Sequence, residues 1–283
     1  MNILVSLDSN YIKQVKVMLT SLQIENHNEE FYIYVLNSKL TNEDIEDIKR
    51  CADVNRTKIF DVKVPDGMFS NVPITDRYPR EMYFRIFAAK LLPDNLDRIL
   101  YLDPDLVVIN SLNEFYNMDL KDMYYAGATH IGKLGKPITK LNEVRLSMPP
   151  ECEYINSGVL LMNLEALRRE QNEEEVSEYI KKNSTRLYLP DQDVINGLYG
   201  DKIICVNEKK YNFGERDFIK NKYLSINGEK IDMKWVVNNA CIIHYYGRNK
   251  PWKEDYIGDL DVFYHIYEKR LRQFEESSYL NRV

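Results

Sequence analysis

Three Asp-x-Asp spacings occur in the chain, at Asp103/Asp105, Asp191/Asp193 and Asp259/Asp261, so the spacing alone carries little information. Their neighbours distinguish them. Asp103 directly follows the apolar run Arg98 to Leu102, and a second apolar run, Leu106 to Ile109, starts immediately after Asp105. Two carboxylates at the carboxyl end of a buried strand are costly unless a cation compensates them. Pro104 between them cannot donate to a ladder, so it marks a turn or edge able to aim both acids at one point. For this pair alone, a strand-ending turn with solvated acids is the alternative. Asp259/Asp261 precedes an amphipathic run and reads as helix capping and dipole pairing. His244 ends another apolar run, inside Ile242-Ile243-His244-Tyr245-Tyr246-Gly247-Arg248-Asn249-Lys250-Pro251-Trp252. A lone histidine beside a strand is often structural, but here Gly247 and Pro251 mark a tight loop from which Lys250 can direct a positive charge at a bound anion. Two carboxylates and one imidazole, completed by phosphate oxygens, form an octahedral oxygen and nitrogen set that suits Mn²⁺ or Mg²⁺ better than zinc.

The elements that must position these residues follow from hydrophobic periodicity. Ile3 to Leu7, Phe31 to Leu36 and Thr57 to Val62 are strand-like, and the intervening segments carry helical spacing at Val15, Met18, Leu19 and Leu22 and at Ile45 and Ile48. Thr41 with Asp44 fits a capping-box start for the second helix. Strands alternating with helices imply βαβ units, hence a mostly parallel central sheet covered by helices. Further strands are expected at Arg98 to Leu102, Leu106 to Ile109, Tyr124 to Thr129, Gly158 to Met162, Ile203 to Val206 and Cys241 to His244. Glu165 to Lys182 reads as one solvated helix, and Val262 to Phe274 as a terminal amphipathic helix. No internal repeat or Gly/Ser linker interrupts the chain, so residues 1–283 are expected to form a single α/β domain.

In an open parallel sheet the loop after the first strand commonly meets the ligand. Here it reads Asp8-Ser9-Asn10-Tyr11, and the first glycine of the chain is Gly67. Neither GxGxxG nor GxxxxGK[ST] can stand there, which excludes simple dinucleotide-binding and P-loop readings. A carboxylate, an amide and an aromatic face suit a nucleobase, although a turn followed by an Asn-capped helix explains the same residues. The chain has 283 residues, 44% of them hydrophobic and 29% charged, with a formal net charge of −6. That composition is ordinary for a globular protein and argues against a nucleic-acid partner. Cys51, Cys152, Cys205 and Cys241 are far apart, exclude a CxxC metal or redox motif, and are expected to be reduced core thiols. The apolar start Met1 to Leu7 lacks a basic flank and is too short for a signal segment or a membrane span, which gives a cytoplasmic expectation.

Taken in order, these residues make the chain resemble the family 8 glycosyltransferases, retaining enzymes of the GT-A (Rossmann-like) fold that include bacterial lipopolysaccharide galactosyl- and glucosyltransferases and, more distantly, glycogenin. The pieces are Asp8-Ser9-Asn10-Tyr11, Arg85 within Tyr83-Phe84-Arg85-Ile86, Tyr101-Leu102-Asp103-Pro104-Asp105, and Ile155-Asn156-Ser157-Gly158-Val159-Leu160-Leu161-Met162-Asn163. Leu189-Pro190-Asp191-Gln192-Asp193, His244-Tyr245-Tyr246-Gly247 and Lys250-Pro251-Trp252 follow. The resemblance implies that Asp103, Asp105 and His244 hold Mn²⁺ or Mg²⁺ against the diphosphate of a UDP-sugar, with Gly247 and Lys250 closing on the phosphates. It implies that Asp8, Asn10 and Tyr11 read uridine, and that Arg85, Asn156, Asp191 and Gln192 surround the donor sugar, Gln192 near the anomeric carbon. The organisation it implies is a nucleotide-binding part over about residues 1–110, a donor-sugar and acceptor part over about 111–258, and a terminal helix and tail over about 259–283.

Two departures bear on specificity. Many relatives carry an Asp just after the strand Tyr124 to Thr129, where this chain has His130, so the sugar, glucose or galactose, is not carried over, nor is the acceptor glycan or glycolipid. Some bacterial relatives also extend into a basic, aromatic, membrane-docking tail, whereas Glu268 to Val283 is short and mixed in charge, which leaves peripheral membrane contact open. Once a divalent cation and Lys250 neutralise the departing diphosphate, no general acid is needed, unlike in a glycosidase dyad. The competing readings are a nucleotidyltransferase, which usually needs a glycine-rich first loop, and a non-catalytic nucleotide-sugar or glycan-binding module of the same fold.

Overall fold

Alternation along the strands decides the layering. Ile3, Val5, Leu100 and Leu102 belong to one buried cluster, whereas their chain neighbours Leu4, Ile99 and Tyr101 belong to another, so the sheet is covered on both faces. The computed structural model describes residues 1–65, 68, 80–129, 136–224 and 231–280; His130 lies outside them. The strands are β1 (Asn2–Ser6), β2 (Phe31–Asn37), β3 (Thr57–Lys63), β4 (Arg98–Leu102), β5 (Leu106–Val108), β6 (Tyr125–Thr129), β7 (Ile155–Asn163), β8 (Ile203–Val206) and β9 (Ile242–His244). Seven form one sheet in the order β3-β2-β1-β4-β7-β6-β8, and β5 pairs with β9 in a separate ribbon. The sheet is mostly parallel; β7 alone runs antiparallel, to both β4 and β6.

The first half follows the periodicity closely. The helix Ile12–Glu25 crosses between β1 and β2, and the helix Asn42–Lys49 starts with the expected capping box at Thr41 and Asp44. Each fully buried Ile, Leu or Val on these elements contributes about 1.5–3 kcal/mol relative to its exposed state. Four expectations are corrected. Glu165 to Lys182 forms two helices, Leu164–Glu170 and Glu173–Asn183, because the Asn172 side chain caps the second one at Glu174 and Glu175. Asp8, not Asn10, caps the turn after β1, accepting from the Asn10 amide. The β5/β9 pair leaves the main sheet. Cys205 is exposed and Cys152 half-buried, so only Cys51 and Cys241 are core thiols. Among the described residues no helix is long and apolar enough to cross a membrane.

Candidate functional site

The acidic pair bridges the two sheets. Asp103 leaves the end of β4, where its amide donates to Gly158 O of β7 at 2.8 Å. Asp105 enters β5, where its carbonyl accepts from the Tyr245 amide at 3.0 Å, just past the pairing of Leu106 with His244. The backbone thus fixes one carboxylate to the main sheet and the other to the ribbon. Pro104 turns the chain between them, and ligand atoms of Asp103, Asp105 and His244 lie within 4.8 Å of one another.

The imidazole of His244 is oriented from behind. Its Nδ1 donates to Asn212 Oδ1 at 2.7 Å, which turns Nε2 toward Asp105 Oδ1 at 3.1 Å and Asp103 Oδ2 at 3.7 Å. With Nε2 deprotonated, two carboxylate oxygens and one imidazole nitrogen would face a common point, a donor set that fits a divalent ion. The His244 side chain is 1% exposed and that of Asp103 22%, so the cluster opens on the Asp103 side. Gly158 has no room for a side chain there: a Cβ would sit 2.4 Å from His244 Cε1 and 2.5 Å from Asp103 Oδ2.

Lys250 Nζ pairs with Asp105 Oδ2 and donates to Tyr245 O at 2.9 Å. Burial pushes the Asp105 carboxyl up, but Lys250 and His244 outweigh it and hold it well below the usual carboxylate range. Burial likewise opposes the Lys250 charge, and Asp105 more than restores it. Gly247, three residues earlier, has φ +84°, a left-handed conformation that disfavours other residues. The Tyr11 ring meets Trp252 edge-on at 6.3 Å, and its hydroxyl is pushed up by burial and by the charges of Asp105, Asp103 and Asp8 against Lys250. Tyr11 therefore lies near the acidic cluster, while Asn10 is exposed and Asp8 half-buried in the turn before it.

On the other side of Asp103 lies a buried polar group. Arg85 Nη2 meets Asp103 Oδ1 at 3.0 Å, Nη1 donates to Ser157 O at 2.9 Å, and the guanidinium stacks on the Tyr101 ring at 4.2 Å. Its Nε faces Asp191 Oδ2 at 3.4 Å without hydrogen-bond geometry. Asp191 Oδ2 accepts from Ser157 Oγ at 2.8 Å, and Gln192 Oε1 from Asn156 Nδ2 at 3.1 Å and the Ser157 amide at 3.2 Å. Asp191 Oδ1 and Gln192 Nε2 are buried with no partner of good geometry. Burial pushes the Asp191 carboxyl above its usual range, with Arg85 and Ser157 opposing. Arg85 Nε, Asp191 Oδ1 and Gln192 Nε2 are thus buried polar atoms short of a well-formed hydrogen bond, the kind of group that a polar ligand or ordered water satisfies.

Contacts thus link Lys250, the acidic cluster, Arg85 and Asp191 in one chain, with Asn156 and Gln192 joined to it through Ser157, whereas the Asp8 side chain bonds the Asn10 amide and Gly247 is placed by its backbone conformation. The second Asp-x-Asp is split in role. Asp193 is fully buried and saturated by Arg145, the Tyr154 hydroxyl and the amides of Tyr188 and Leu189, so it builds the helix Pro190–Tyr199 and cannot attack a substrate. Ser157, Gly158, Tyr101 and Asn212 complete the site without having been singled out. Gly158 stands in a polar-flanked strand start, a signal that could have found it; Asn212 lies 32 residues from His244 with no sequence signal at all.

A family model described as Glycosyl transferase family 8 matches residues 2–256. The lipopolysaccharide 1,2-glucosyltransferase of Escherichia coli (strain K12) is 28% identical over 254 residues, covering 89% of this chain and 72% of that protein. The lipopolysaccharide 1,3-galactosyltransferase of Salmonella typhimurium (strain LT2) is 27% identical over 258 residues, covering 89% and 72%. A crystal structure of the galactosyltransferase LgtC in complex with donor and acceptor sugar analogues matches with a TM-score of 0.80 at 22% identity, over 95% of this chain and 96% of that one, which shows the shared GT-A fold. With its motifs in family order and nearly its whole length matched, the chain belongs to glycosyl transferase family 8.

Proposed function

We propose that the protein is a retaining, metal-dependent hexosyltransferase that moves glucose or galactose from a UDP-sugar to a hydroxyl of a glycan or glycolipid, in the assembly of lipopolysaccharide or a related cell-surface polysaccharide. The observation that carries this is the continuity of the acidic cluster with Lys250 on one side and the orphaned atoms of Arg85, Asp191 and Gln192 on the other. A cation-ready acidic cluster with an adjoining lysine suits an anionic diphosphate, and the neighbouring buried polar group suits a hydroxyl-rich ring. The lipopolysaccharide-directed names of the two relatives support the acceptor class.

Asp103, Asp105 and His244 Nε2 would hold Mn²⁺ or Mg²⁺, which when bound neutralises charge on the diphosphate oxygens. Lys250 gives up part of its pairing with Asp105 to bind the phosphates, so leaving-group charge is met by a cation already in position. Asp8, Asn10 and Tyr11 hold the uridine, and Gly247 lets the backbone approach the phosphates. Arg85, Asn156 and Asp191 take the donor-sugar hydroxyls. Gln192 lies beside the anomeric centre; an amide is a poor base and nucleophile, and suits stabilising developing positive charge there. The route this favours is front-face, in which the departing phosphate oxygen takes the acceptor proton and the α-linkage is retained; the alternative is double displacement with Asp191 as the catalytic nucleophile, which a trapped glycosyl adduct on Asp191 would reveal. Residues of about 1–110 then form the nucleotide half and about 111–258 the sugar and acceptor half, closed by the terminal helix from about 259.

The test is release of UDP from a panel of nucleotide sugars with Mn²⁺, without acceptor. Slow release from UDP-glucose or UDP-galactose is expected. Saturable binding with no release from any donor, with or without glycan acceptors, would mean a non-catalytic nucleotide-sugar module. An α-linked product by proton NMR is expected; a β-linked first product would overturn the retaining reading.

A further inference from the structure

The segment from Tyr245 to Leu260, which carries Gly247 and Lys250, is fastened at both ends to the first turn of the helix Glu215–Leu224. At the near end the Tyr246 hydroxyl donates to Asp217 Oδ2 at 2.9 Å. The Tyr246 ring packs on Gly214, where a Cβ would come within 2.6 Å of Tyr246 Cε1. At the far end Glu215, only 8% exposed, accepts from the Tyr256 hydroxyl at 2.6 Å, the Leu260 amide at 2.9 Å and the Asp259 amide at 3.2 Å. Gly258, at φ +149°, passes so close that a Cβ there would lie 2.1 Å from Glu215 Cδ. Between the two ends the Asn249 amide pairs with the backbone of Ile257 in both directions, at 2.8 and 3.0 Å, and closes the turn that holds Lys250.

A buried carboxylate is costly unless its oxygens are well bonded. All three of these bonds go to the segment 256–260, so the charge is spent on fixing the loop. We propose that Glu215 is a positioning residue for donor binding: by pinning residues 256–260 it holds the Gly247–Trp252 turn in the one geometry that sets the Lys250 ammonium against the acidic cluster before any ligand arrives. This rests on the reading of Lys250 as a diphosphate-binding residue. Its physical effect is preorganisation: a loop ordered in advance does not lose its conformational freedom when the diphosphate binds.

The test is titration of the full chain with UDP plus Mn²⁺, and separately with uridine, for wild type, Glu215→Ala, Glu215→Gln, Lys250→Ala and the double variant Glu215→Ala/Lys250→Ala, each checked by thermal melting. Glu215→Ala is expected to weaken UDP by about tenfold and leave uridine binding unchanged. Because Glu215 acts through Lys250, the double variant is expected to bind UDP no more weakly than Lys250→Ala alone. Glu215→Gln keeps the volume but turns one donor toward a donor, and is expected to fall between wild type and alanine; it carries the test if the alanine variant does not fold. Wild-type UDP affinity in a folded Glu215 variant, or additive losses in the double variant, would overturn the positioning role. Failure of the wild type itself to bind UDP would instead sink the donor reading on which it rests.

Discussion

Asn212 is not among the residues expected to hold the metal, yet its bond to His244 Nδ1 fixes which nitrogen faces the carboxylates. Asn212→Ala is therefore expected to lower Mn²⁺ affinity by about 10- to 100-fold with little change in melting temperature, measurable by metal titration beside thermal unfolding. Asp103→Asn keeps the volume and removes one charged oxygen; UDP release with Mn²⁺ is expected to disappear, and release at the wild-type rate, or activity surviving EDTA, would contradict the metal assignment. Asp191 gives the opposite kind of test. Its pKa is raised on folding by burial, so above that raised value the ionised group costs stability, and the cost vanishes as pH falls through it toward the ordinary carboxylate range. Asp191→Asn should accordingly lose transfer while melting at pH 7 no lower than wild type, the trade-off expected of a buried functional charge. A marked fall in melting temperature would make Asp191 a structural residue.

At the scale of elements, the helix Pro190–Tyr199 is positioned by its own fourth residue: Asp193 ties Arg145 of the helix Lys136–Leu146 to the amides of Tyr188 and Leu189. Arg145→Ala leaves this buried carboxylate without its cation and is expected to cost about 3 kcal/mol in denaturant unfolding. Loss below 1 kcal/mol would show that the backbone amides suffice. The turn after β1 is tested by Tyr11→Ala, which should weaken UDP by roughly 1–2 kcal/mol if the ring stacks on the base. Glu165 to Lys182 teaches a related lesson about elements: solvated periodicity is continuous across Gln171, and only the side chain of Asn172, choosing the amides of the next turn, decides that there are two helices.

For the whole molecule, the residues proposed for uridine, diphosphate and sugar come from segments between Asp8 and Lys250, so on that proposal a donor nucleotide would bridge most of the fold. UDP with Mn²⁺ at about 100 times its Kd should stabilise the native state by about 2.7 kcal/mol, a rise of roughly 5–10 °C in melting temperature. ADP with Mn²⁺ at the same concentration is expected to give a clearly smaller rise, and equal shifts would refute the uridine preference.

Strand positions, the capping box at Thr41 and the acids at the end of β4 were legible because each is a local matter: burial alternates with a period of two, a cap needs its partner three residues on, and a charge after an apolar run stands out. The set of ligating and sugar-facing residues was legible only as an ordered likeness to a family, since no local rule joins Asp103 to His244 or Arg85 to Asp191. The tertiary structure decided what depends on meeting across the chain. β7 runs antiparallel between β4 and β6 and so brings Gly158 and Ser157 beside Asp103 and Arg85. The ribbon of β5 with β9 sets His244 at Asp105. Of the two acids on one helix, Arg145, Tyr154 and two backbone amides saturate Asp193, while Asp191 keeps one oxygen without a hydrogen bond. Chemically identical side chains two residues apart differ here only in what the rest of the chain places against them, and that is information a sequence carries without displaying.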